Sequence, residues 1–298
     1  MVTDRDIEIL RVIIRYYVLN RQQIQRLVFP DDPNGRVTRR RLQSLYEENL
    51  INRLPSREFP SILAPSPMYF PSRKGCELIA EYDDDERILA TPTKAPEYNI
   101  FHWLAVSHTH ITIDEAIAKQ TAVKIEGWIN EWDVVNKDES AAEKRYRLYT
   151  LIRESPRLVC APDAALLLSA LGHTKIFYLE QDRATSGVQQ IASVKTLGFA
   201  ALAERNLQKR HFNATVPGFT VLMVAPTDRR RDALRKAIAA KPGAALWRFA
   251  TVSDLTPERA LHSPIWYSCG QAEPDPLVKP IPLLTAATEI APMKEGSA

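Results

Sequence analysis

The fold is decided by the stretch from Pro162 to Lys195, which reads PDAALLLSALGHTKIFYLEQDRATSGVQQIASVK. Its apolar runs on either side of Gly172 predict two short buried strands joined by a turn, and the residues after them predict a helix. The polar exceptions to this pattern are Asp163, Glu180, Asp182 and Lys195. Acids with a lysine at strand ends are typical of a divalent-metal site that acts on phosphodiesters, although a structural protein can also place them there.

The two predicted strands bring carboxylates together. Residues 157–168 predict a strand with Asp163 inside it, and residues 175–180 predict the strand that pairs back. Because side chains alternate along a strand, Glu180 and Asp182 share a face, and pairing places Asp163 near Glu180. Such carboxylates repel each other unless a cation lies between them or one is protonated. Mg²⁺ fits, since it accepts one or two carboxylates together with substrate phosphate and water.

The predicted helix carries an apolar stripe with Lys195 at its centre. The stripe consists of Val188, Ile191, Ala192, Phe199 and Leu202. A lysine in that position costs stability unless its ammonium is paired or reaches the edge of the core. Two interpretations remain open: the ammonium pairs with the acids at the Glu180 strand end, or the stem packs and the ammonium extends to water.

Bulk composition sets the protein class. A chain of 298 residues with 45% apolar residues predicts about two globular domains, and a net charge of +3 does not by itself indicate nucleic-acid binding. The cysteines Cys76, Cys160 and Cys269 form no CxxC pair, which argues against a disulfide framework or a zinc ribbon. No signal-peptide pattern and no apolar run of roughly 18 residues is present, so we expect a cytoplasmic protein with no membrane partner.

The first ninety residues have the pattern of a winged helix-turn-helix. Helices are predicted at residues 3–17, 21–27 and 36–48, strands at 51–54 and 68–70 around a proline-rich loop, and a closing helix at 73–82. In this fold the third helix and the loop between the strands contact DNA. Double-stranded DNA is therefore the expected partner.

Basic residues concentrate on the predicted third helix and the loop after it. They are Arg36, Arg39, Arg40, Arg41, Arg53 and Arg57, against the acids Glu47 and Glu48. On the third helix of this topology, arginines can contact phosphates or guanine edges. A solvated helix face is the alternative explanation for such a run, and Arg41 could instead be held inside the domain.

The domain boundaries follow from the breaker residues. An acidic run at 83–86 and a Thr/Pro-rich segment predict a DNA-binding domain at 1–90, a linker at 91–97, a second domain at 98–262, and a Pro-rich, poorly packed tail at 263–298.

The second domain has two further polar features that could contribute to a site. The spacing of His102, His108 and His110 does not place them on one helical face, which favours ordinary histidines over metal ligands. Glu131 lies at the end of a predicted strand, where it could reach a site or simply be an exposed acid. Both interpretations of Glu131 stay open.

Several of these motifs together resemble the replication-relaxation family of plasmids and integrative elements. The resemblance spans about residues 5–250 and rests on the helix-turn-helix, on YFPSRKG at 69–75, on His102, on residues 128–131, on Pro162-Asp163 and on LEQDRAT at 179–185. The family is similar to MobC-type relaxases, whose catalytic domain resembles restriction endonucleases of the PD-(D/E)xK kind.

The resemblance implies a specific fold and site. The fold would be α/β (α+β overall), with a winged helix-turn-helix followed by a PD-(D/E)xK nuclease-like domain that has a mixed central sheet. Asp163 would be the acid of the Pro-Asp motif and Glu180 the second ligand of Mg²⁺ or Mn²⁺, with Asp182 assisting. The chain departs from the pattern at Asp182, where a lysine is expected, and Lys195 is the candidate substitute.

We therefore expect a DNA-binding protein of a mobile element that acts in replication or mobilisation. Metal-dependent nicking by a relaxase-like site is the leading hypothesis. A catalytically inactive regulator or relaxosome accessory factor is the alternative, and a partner-binding protein without DNA contact is a third. Other relaxosome or replication proteins are further candidate partners, and the oligomeric state is not determined by the sequence.

Overall fold

The computed structural model describes residues 2–54, 67–94, 99–214 and 216–279. Its N-terminal part contains four helices and a small sheet: α1 (Asp4–Tyr16), β1 (Leu19–Asn20), α2 (Arg21–Val28), α3 (Arg36–Glu47), β2 (Ile51–Leu54), β3 (Met68–Pro71) and α4 (Arg73–Asp83). Strand β3 lies between β1 and β2 and is antiparallel to both. The helices and strands predicted for this part are present, and β1 is an addition to them.

Local signals start these helices. The Asn20 side chain accepts a hydrogen bond from the Gln23 backbone N–H at 2.9 Å, and the Gln23 side chain accepts one from the Asn20 N–H, which forms a capping box for α2. Ser72 caps α4 by accepting from the Gly75 N–H at 2.9 Å. Gly35, with φ of 62°, turns the chain into α3 through a left-handed conformation that favours glycine.

The apolar faces of the N-terminal helices form one core. Ile9 and Leu10 of α1, Ile24 of α2, and Leu42 and Leu45 of α3 are each at most 1% exposed. Their burial follows the helical spacing of the apolar residues, so hydrophobic packing stabilises the arrangement that the caps begin.

The second part is built on one large sheet. Its elements are α5 (Ile100–Ala118), β4 (Val123–Asn130), α6 (Ala142–Arg145), β5 (Thr150–Arg153), β6 (Leu158–Cys160), β7 (Ala164–Ala170), β8 (His173–Gln181), α7 (Val188–Glu204), β9 (Phe219–Ala225), α8 (Asp228–Ala239), β10 (Trp247–Thr251) and β11 (Tyr267–Ser268). The strand order is β11-β10-β9-β8-β7-β4, while β5 and β6 pair separately.

The large sheet is mixed, which confirms a mixed α/β fold. The pairs β4–β7, β7–β8 and β10–β11 are antiparallel, whereas β8–β9 and β9–β10 are parallel. The chain passes through α7 between β8 and β9 and through α8 between β9 and β10, because parallel neighbours require a crossover connection. The predicted hairpin across Gly172 is confirmed, with Ala164 opposite Leu179.

One prediction about the deciding stretch is wrong: Asp163 does not lie inside a strand. Strand β6 ends at Cys160 and pairs with β5, and β7 begins at Ala164 in the large sheet. Pro162 lacks the backbone N–H that a continuous ladder would need, so the chain changes sheets there. Asp163 therefore occupies the entry to β7.

Both faces of the sheet are covered. On one face, Tyr178 of β8 packs with Phe199 of α7 and Trp247 of β10, and on the other face Phe177 packs with Val106 of α5 and Leu222 of β9. Neighbouring residues of β8 thus face opposite cores, as alternation along a strand requires. This explains why the strand reads as a nearly continuous apolar run.

Helix α5 connects the two parts of the molecule. Its residue Ile111 joins the core of the N-terminal helices, and Trp103 packs with Tyr17 and Trp132 at ring distances of 5.8 and 4.6 Å. Arg15 of α1 donates to Asp114 of α5 at 2.7 Å. The N-terminal part therefore rests on α5 through apolar and charged contacts. Residues 95–97 of the expected linker lie outside the described residues.

The C-terminal segment differs from the prediction of a poorly packed tail from residue 263 onward. Ile265 and Trp266 are 1% exposed, and Val278 is also buried. Strand β11 pairs with β10, and Trp266 donates its indole N–H to the Ala260 carbonyl at 3.0 Å. Burial of these apolar side chains against the sheet stabilises the segment despite its Pro-rich composition. Residues 280–298 lie outside the described residues.

The helices of the described residues show no membrane-spanning candidate, because none is long and apolar enough to cross a bilayer.

Candidate metal centre

Three elements bring metal-ligand side chains to one point. His102 comes from the first turn of α5, Glu131 directly follows β4, and Asp163 directly precedes β7. One ligand atom from each of these residues lies within 4.8 Å of those of the others, and the His102 Nε2 is 3.3 Å from the Asp163 Oδ1. Two carboxylates and an imidazole at this spacing can hold a divalent cation.

Strand pairing holds Asp163 in place. Its backbone N–H donates to the Leu179 carbonyl and its own carbonyl accepts from the Glu131 N–H, both at 3.1 Å. Its Oδ2 accepts from the Gln181 N–H at 2.6 Å. Burial opposes ionisation, but the charges of His102 and Lys195 and these hydrogen bonds keep the Asp163 pKa below its ordinary value. Asp163 is thus a fixed, ionised carboxylate.

The other two residues of the cluster are shifted towards their protonated forms. Burial raises the pKa of Glu131 to about 7, and the negative charge of Asp163 adds to this rise. Burial opposes protonation of His102, but Asp163 outweighs it and holds the His102 pKa above its ordinary value. The negative charge of Asp163 contributes to both shifts, and a bound cation would offset that charge.

Lys195 forms an ion pair with Glu180. Its Nζ lies 2.7 Å from the Glu180 Oε2 and 3.0 Å from the Oε1, and it also donates to the Ala161 carbonyl at 3.1 Å. Of the two interpretations of the lysine in the apolar stripe, pairing is the one observed. Burial works against the ammonium, yet Glu180 and Asp163 outweigh it and hold the Lys195 pKa above its ordinary value.

Glu180 lies near the cluster but not among its closest ligands. The metal-spaced group found within the described residues contains Asp163 with His102 and Glu131, and Glu180 stands outside it. Both oxygens of Glu180 contact Lys195. A metal ion that used Glu180 as a ligand would have to share that carboxylate with the ammonium.

Asp182 forms an ion pair with an arginine. Arg230 at the start of α8 donates to both Asp182 oxygens, at 2.8 and 3.0 Å, and to the Ser186 carbonyl at 2.7 Å. The Asp182 side chain is 3% exposed. Where a lysine was expected from the resemblance, the chain therefore presents a neutralised ion pair.

Most of these groups line one cavity of about 200 Å³ at the ends of the strands, whereas Glu131 lines a neighbouring cavity. The lining of the first cavity includes His102, Asp163, Glu180, Asp182, Arg183 and Lys195. The structure thus brings the predicted residues Asp163, Glu180, Asp182 and Lys195 together in a single cleft. Such a cleft can take a small anionic group, since it offers two cationic side chains beside the carboxylates.

The predicted DNA-binding arginines fall into different environments. Arg36, Arg39 and Arg40 are exposed on α3, and none of them forms an ion pair with another residue of the described chain. Arg53 donates to the Gln43 side chain at 2.7 Å and lies over the Tyr46 ring at 4.1 Å. Arg57 lies outside the described residues.

Arg41 is held inside the N-terminal part, as one of the two expectations for it allowed. Its guanidinium makes a two-point contact with Asp6, with Nε at 2.8 Å from Oδ1, and the Asp6 side chain is fully buried. Two of its nitrogens therefore join α3 to α1, which makes Arg41 less available to DNA than its exposed neighbours on α3.

Sequence reasoning missed His102 and left Glu131 undecided. Spacing along one helix cannot identify this group, because its three candidate ligands come from separate elements. A usable signal was present, because His102 and residues 128–131 both belong to the motifs that carried the family resemblance. The side chains of His108 and His110 do not join the cluster found among the described residues.

Comparison with known proteins gives one match. The profile of the replication-relaxation family matches residues 10–221, which run from α1 into β9 and include the whole candidate metal centre. No curated protein and no solved structure matches the chain. Since the match covers more than half of the 298 residues, the chain belongs to the replication-relaxation family.

Proposed function

We propose that this chain is a DNA-binding protein of a plasmid or integrative element that nicks one DNA strand at the His102, Glu131 and Asp163 cluster. The observation that carries this proposal is the convergence of buried carboxylates, an imidazole and an ammonium in one cleft at the sheet edge. Membership of the replication-relaxation family supports a role in replication or mobilisation of such an element.

DNA binding is supported by the N-terminal part. The order of α1, α2 and α3 with a three-stranded antiparallel sheet resembles that of a winged helix-turn-helix, which supports this part of the proposal. Arg36, Arg39 and Arg40 extend from the first half of its third helix. Arginines there can meet the phosphates and guanine edges of a duplex.

Nuclease chemistry is supported by the order of the second part. A helix, three antiparallel strands, a helix and a parallel strand follow one another as α5, β4, β7, β8, α7 and β9, once the small β5–β6 pair is set aside. Acids stand at the entry to β7 and near the end of β8, as in PD-(D/E)xK nucleases. Lys195 reaches Glu180 from α7 and supplies the ammonium that the sequence lacks at position 182.

The donor set favours Mn²⁺ over Mg²⁺. Two carboxylates suit either ion, but Mg²⁺ prefers oxygen ligands and the His102 imidazole suits softer cations better. When bound, such an ion supplies a Lewis acid for the phosphate and lowers the pKa of water. Asp163, Glu131 and His102 would hold it, while Lys195 would neutralise charge that develops on the phosphate oxygens.

The test is a nicking assay on supercoiled plasmid with Mn²⁺ or Mg²⁺. We expect the wild-type protein to produce open circles and Asp163→Asn to lower the rate at least about 100-fold, because the fixed carboxylate of the site is lost. Glu126→Gln is the matched control, since Glu126 is an exposed acid on β4 that accepts from Ser169 and does not line the cleft. Equal nicking by wild type and Asp163→Asn, or none by either, would remove the catalytic claim.

A non-enzymatic DNA-binding regulator is the second candidate. It is favoured by the ion pairs of Glu180 with Lys195 and of Asp182 with Arg230, which engage two of the three acids that the family resemblance assigns to the site. In that case duplex binding would be unaffected by Asp163→Asn, and calorimetric titration with Mn²⁺ would give no binding heat. A heat that disappears in Asp163→Asn would count against the regulator.

A further inference from the structure

A second cavity lies beside the metal centre, between the N-terminal helices and the sheet. Its volume is about 520 Å³, within the roughly 300–1,000 Å³ of pockets that bind small molecules. Polar side chains of α2 form one wall and the apolar Phe101 and Leu104 of α5 form another. Gln181 and Arg183, from the end of β8 and the segment after it, close the side that faces the metal centre.

Arg183 connects the two cavities. It lines both of them, and its guanidinium lies over the Phe101 ring at 5.3 Å from the centroid. Other arginines around this interface are paired with acids, as Arg15 is with Asp114 and Arg230 with Asp182. Arg183 has no acidic partner within the part of the chain that the structure describes. Burial lowers its pKa, as expected for a cation partly removed from water without a counterion.

The remaining walls suit a nucleobase. The Arg183 guanidinium lies over the Phe101 ring, and we refer to this cation–π pair as the Phe101–Arg183 stack; unpaired bases pack on aromatic rings and guanidinium groups of this kind. The amide N–H groups of Asn20 can donate to the edge of a base, while its oxygen accepts from the Gln23 N–H. Burial lowers the pKa of His108, so its ring enters the cavity as a neutral group.

We propose that this cavity receives one unstacked nucleotide of the DNA strand whose phosphodiester lies at the metal centre. The base packs against the Phe101–Arg183 stack, and the Arg183 guanidinium contacts a phosphate next to the one in the metal cleft. The inference rests on the proposed function and specifies the form of its substrate, which is a strand locally released from the duplex. A base within the duplex stack could not enter a cavity of this shape.

Fluorescence anisotropy with two labelled probes tests the inference on the full chain. One probe is an oligothymidylate of about 15 nucleotides, close to the longest site sizes known for single-strand binding folds, and the other is a random-sequence duplex of the same length. We expect Arg183→Gln and Phe101→Leu each to weaken single-strand binding about tenfold while duplex binding stays unchanged. Phe101→Tyr keeps the aromatic face and should bind like wild type.

Matched variants separate this cavity from other basic surfaces. Arg87→Ala removes an exposed arginine that pairs with Asp85, and it should leave both probes bound as before. The Arg39→Ala/Arg40→Ala double variant should give the opposite pattern, with weakened duplex binding and intact single-strand binding. Arg183→Gln keeps most of the side-chain stem against Phe101. Weaker single-strand binding by this variant therefore reports loss of the charge rather than loss of the packing.

Two results would overturn the inference: failure of the wild-type protein to bind oligothymidylate, or an equal effect of Arg183→Gln on both probes. A wild-type protein that binds the single strand through Arg183 but neither binds duplex nor nicks plasmid would contradict the proposed function alone. Binding of duplex without any Arg183 effect on the single strand would contradict the cavity assignment alone.

Discussion

At the residue scale, Lys195 combines packing of its stem with an ion pair at its ammonium. Its stem lies in the stripe with Ala192 and Phe199, and its ammonium ends on Glu180 and the Ala161 carbonyl. The lysine is a third exposed while Glu180 is nearly fully buried. Each charge therefore depends on the other to offset its removal from water.

Removing Lys195 should destabilise the fold. We expect Lys195→Met to lower the free energy of unfolding by about 2 to 3 kcal/mol, less than for a fully buried pair because the lysine is partly exposed. Urea denaturation measures the change. Adding Glu180→Gln to Lys195→Met should recover most of the loss, since no buried charge is then left unpaired.

Lys119→Met provides the matched comparison for this prediction. Lys119 pairs with Glu258 at 2.7 Å, but both side chains are more than half exposed. Its loss should cost below about 0.5 kcal/mol, as for most surface pairs. If both lysine variants lost the same stability, the Glu180 pair would have no special role in the fold.

At the scale of elements, helix α3 divides its arginines between two tasks. Arg41 faces inward and anchors the helix to Asp6 of α1, whereas Arg39 and Arg40 face solvent. The helical repeat alone produces this division, because neighbouring residues point about 100° apart. The run of arginines in the sequence is therefore not one uniform basic surface.

The exposed arginines of α3 should determine how duplex binding responds to salt. Arg39→Ala/Arg40→Ala should weaken binding at least about tenfold and reduce the slope of log K against log salt by about 2, since each lost phosphate contact removes roughly 0.9. Anisotropy titrations at several salt concentrations give this slope. An unchanged slope would mean that α3 does not contact phosphates.

Arg73→Ala is the control for α3, because Arg73 is an exposed arginine on α4 that pairs with Glu77. It should bind duplex like wild type. Arg41→Ala should behave differently from both variants: the protein loses stability because Asp6 is left buried without its partner, and folded protein keeps its salt slope.

At the scale of the whole molecule, distant segments meet at buried polar groups. His211 is 1% exposed and hydrogen-bonds through Nδ1 to the Tyr178 hydroxyl at 2.6 Å and through Nε2 to Thr150 at 2.9 Å. It thereby joins β5 and β8 to the segment after α7. Burial lowers the His211 pKa to about 4.

This depressed pKa makes stability depend on pH. In the unfolded chain the imidazole takes up its proton near its ordinary pKa of about 6.5, while the folded protein excludes the proton until about pH 4. The stabilisation that the folded protein gains from a neutral His211 is complete above about pH 6.5. It is lost as pH falls towards 4, by up to about 3 kcal/mol. The free energy of unfolding of the wild-type protein minus that of His211→Asn should show this decline across the range, whereas total stability also responds in the opposite sense to the raised pKa of Glu131.

A matched pair of variants identifies the group responsible. His211→Asn should flatten the decline between about pH 6.5 and 4, whereas His173→Asn should leave it unchanged because His173 is exposed at the start of β8. A decline of the same size in His211→Asn would assign the effect to other groups.

The sequence by itself determined the elements and most of their order. Caps at Asn20 and Ser72, the turn at Gly172 and the apolar periods are local signals, because each depends on residues a few positions apart. They sufficed for the N-terminal helices, the β7–β8 hairpin and helix α7. They also indicated Asp163 and Glu180 as candidate site residues, because the alternation of side chains along a strand can be predicted from the sequence.

Only the tertiary structure decided which side chains meet. His102, Glu131 and Asp163 come together because α5 packs on the sheet and β4 pairs with β7, and no spacing in the chain encodes that meeting. The same holds for Arg230 on Asp182 and for Arg183 between two cavities. Helix packing and strand pairing bring these residues together across long sequence separations. Tertiary contacts of this kind depend on burial and charge, which local conformation does not determine.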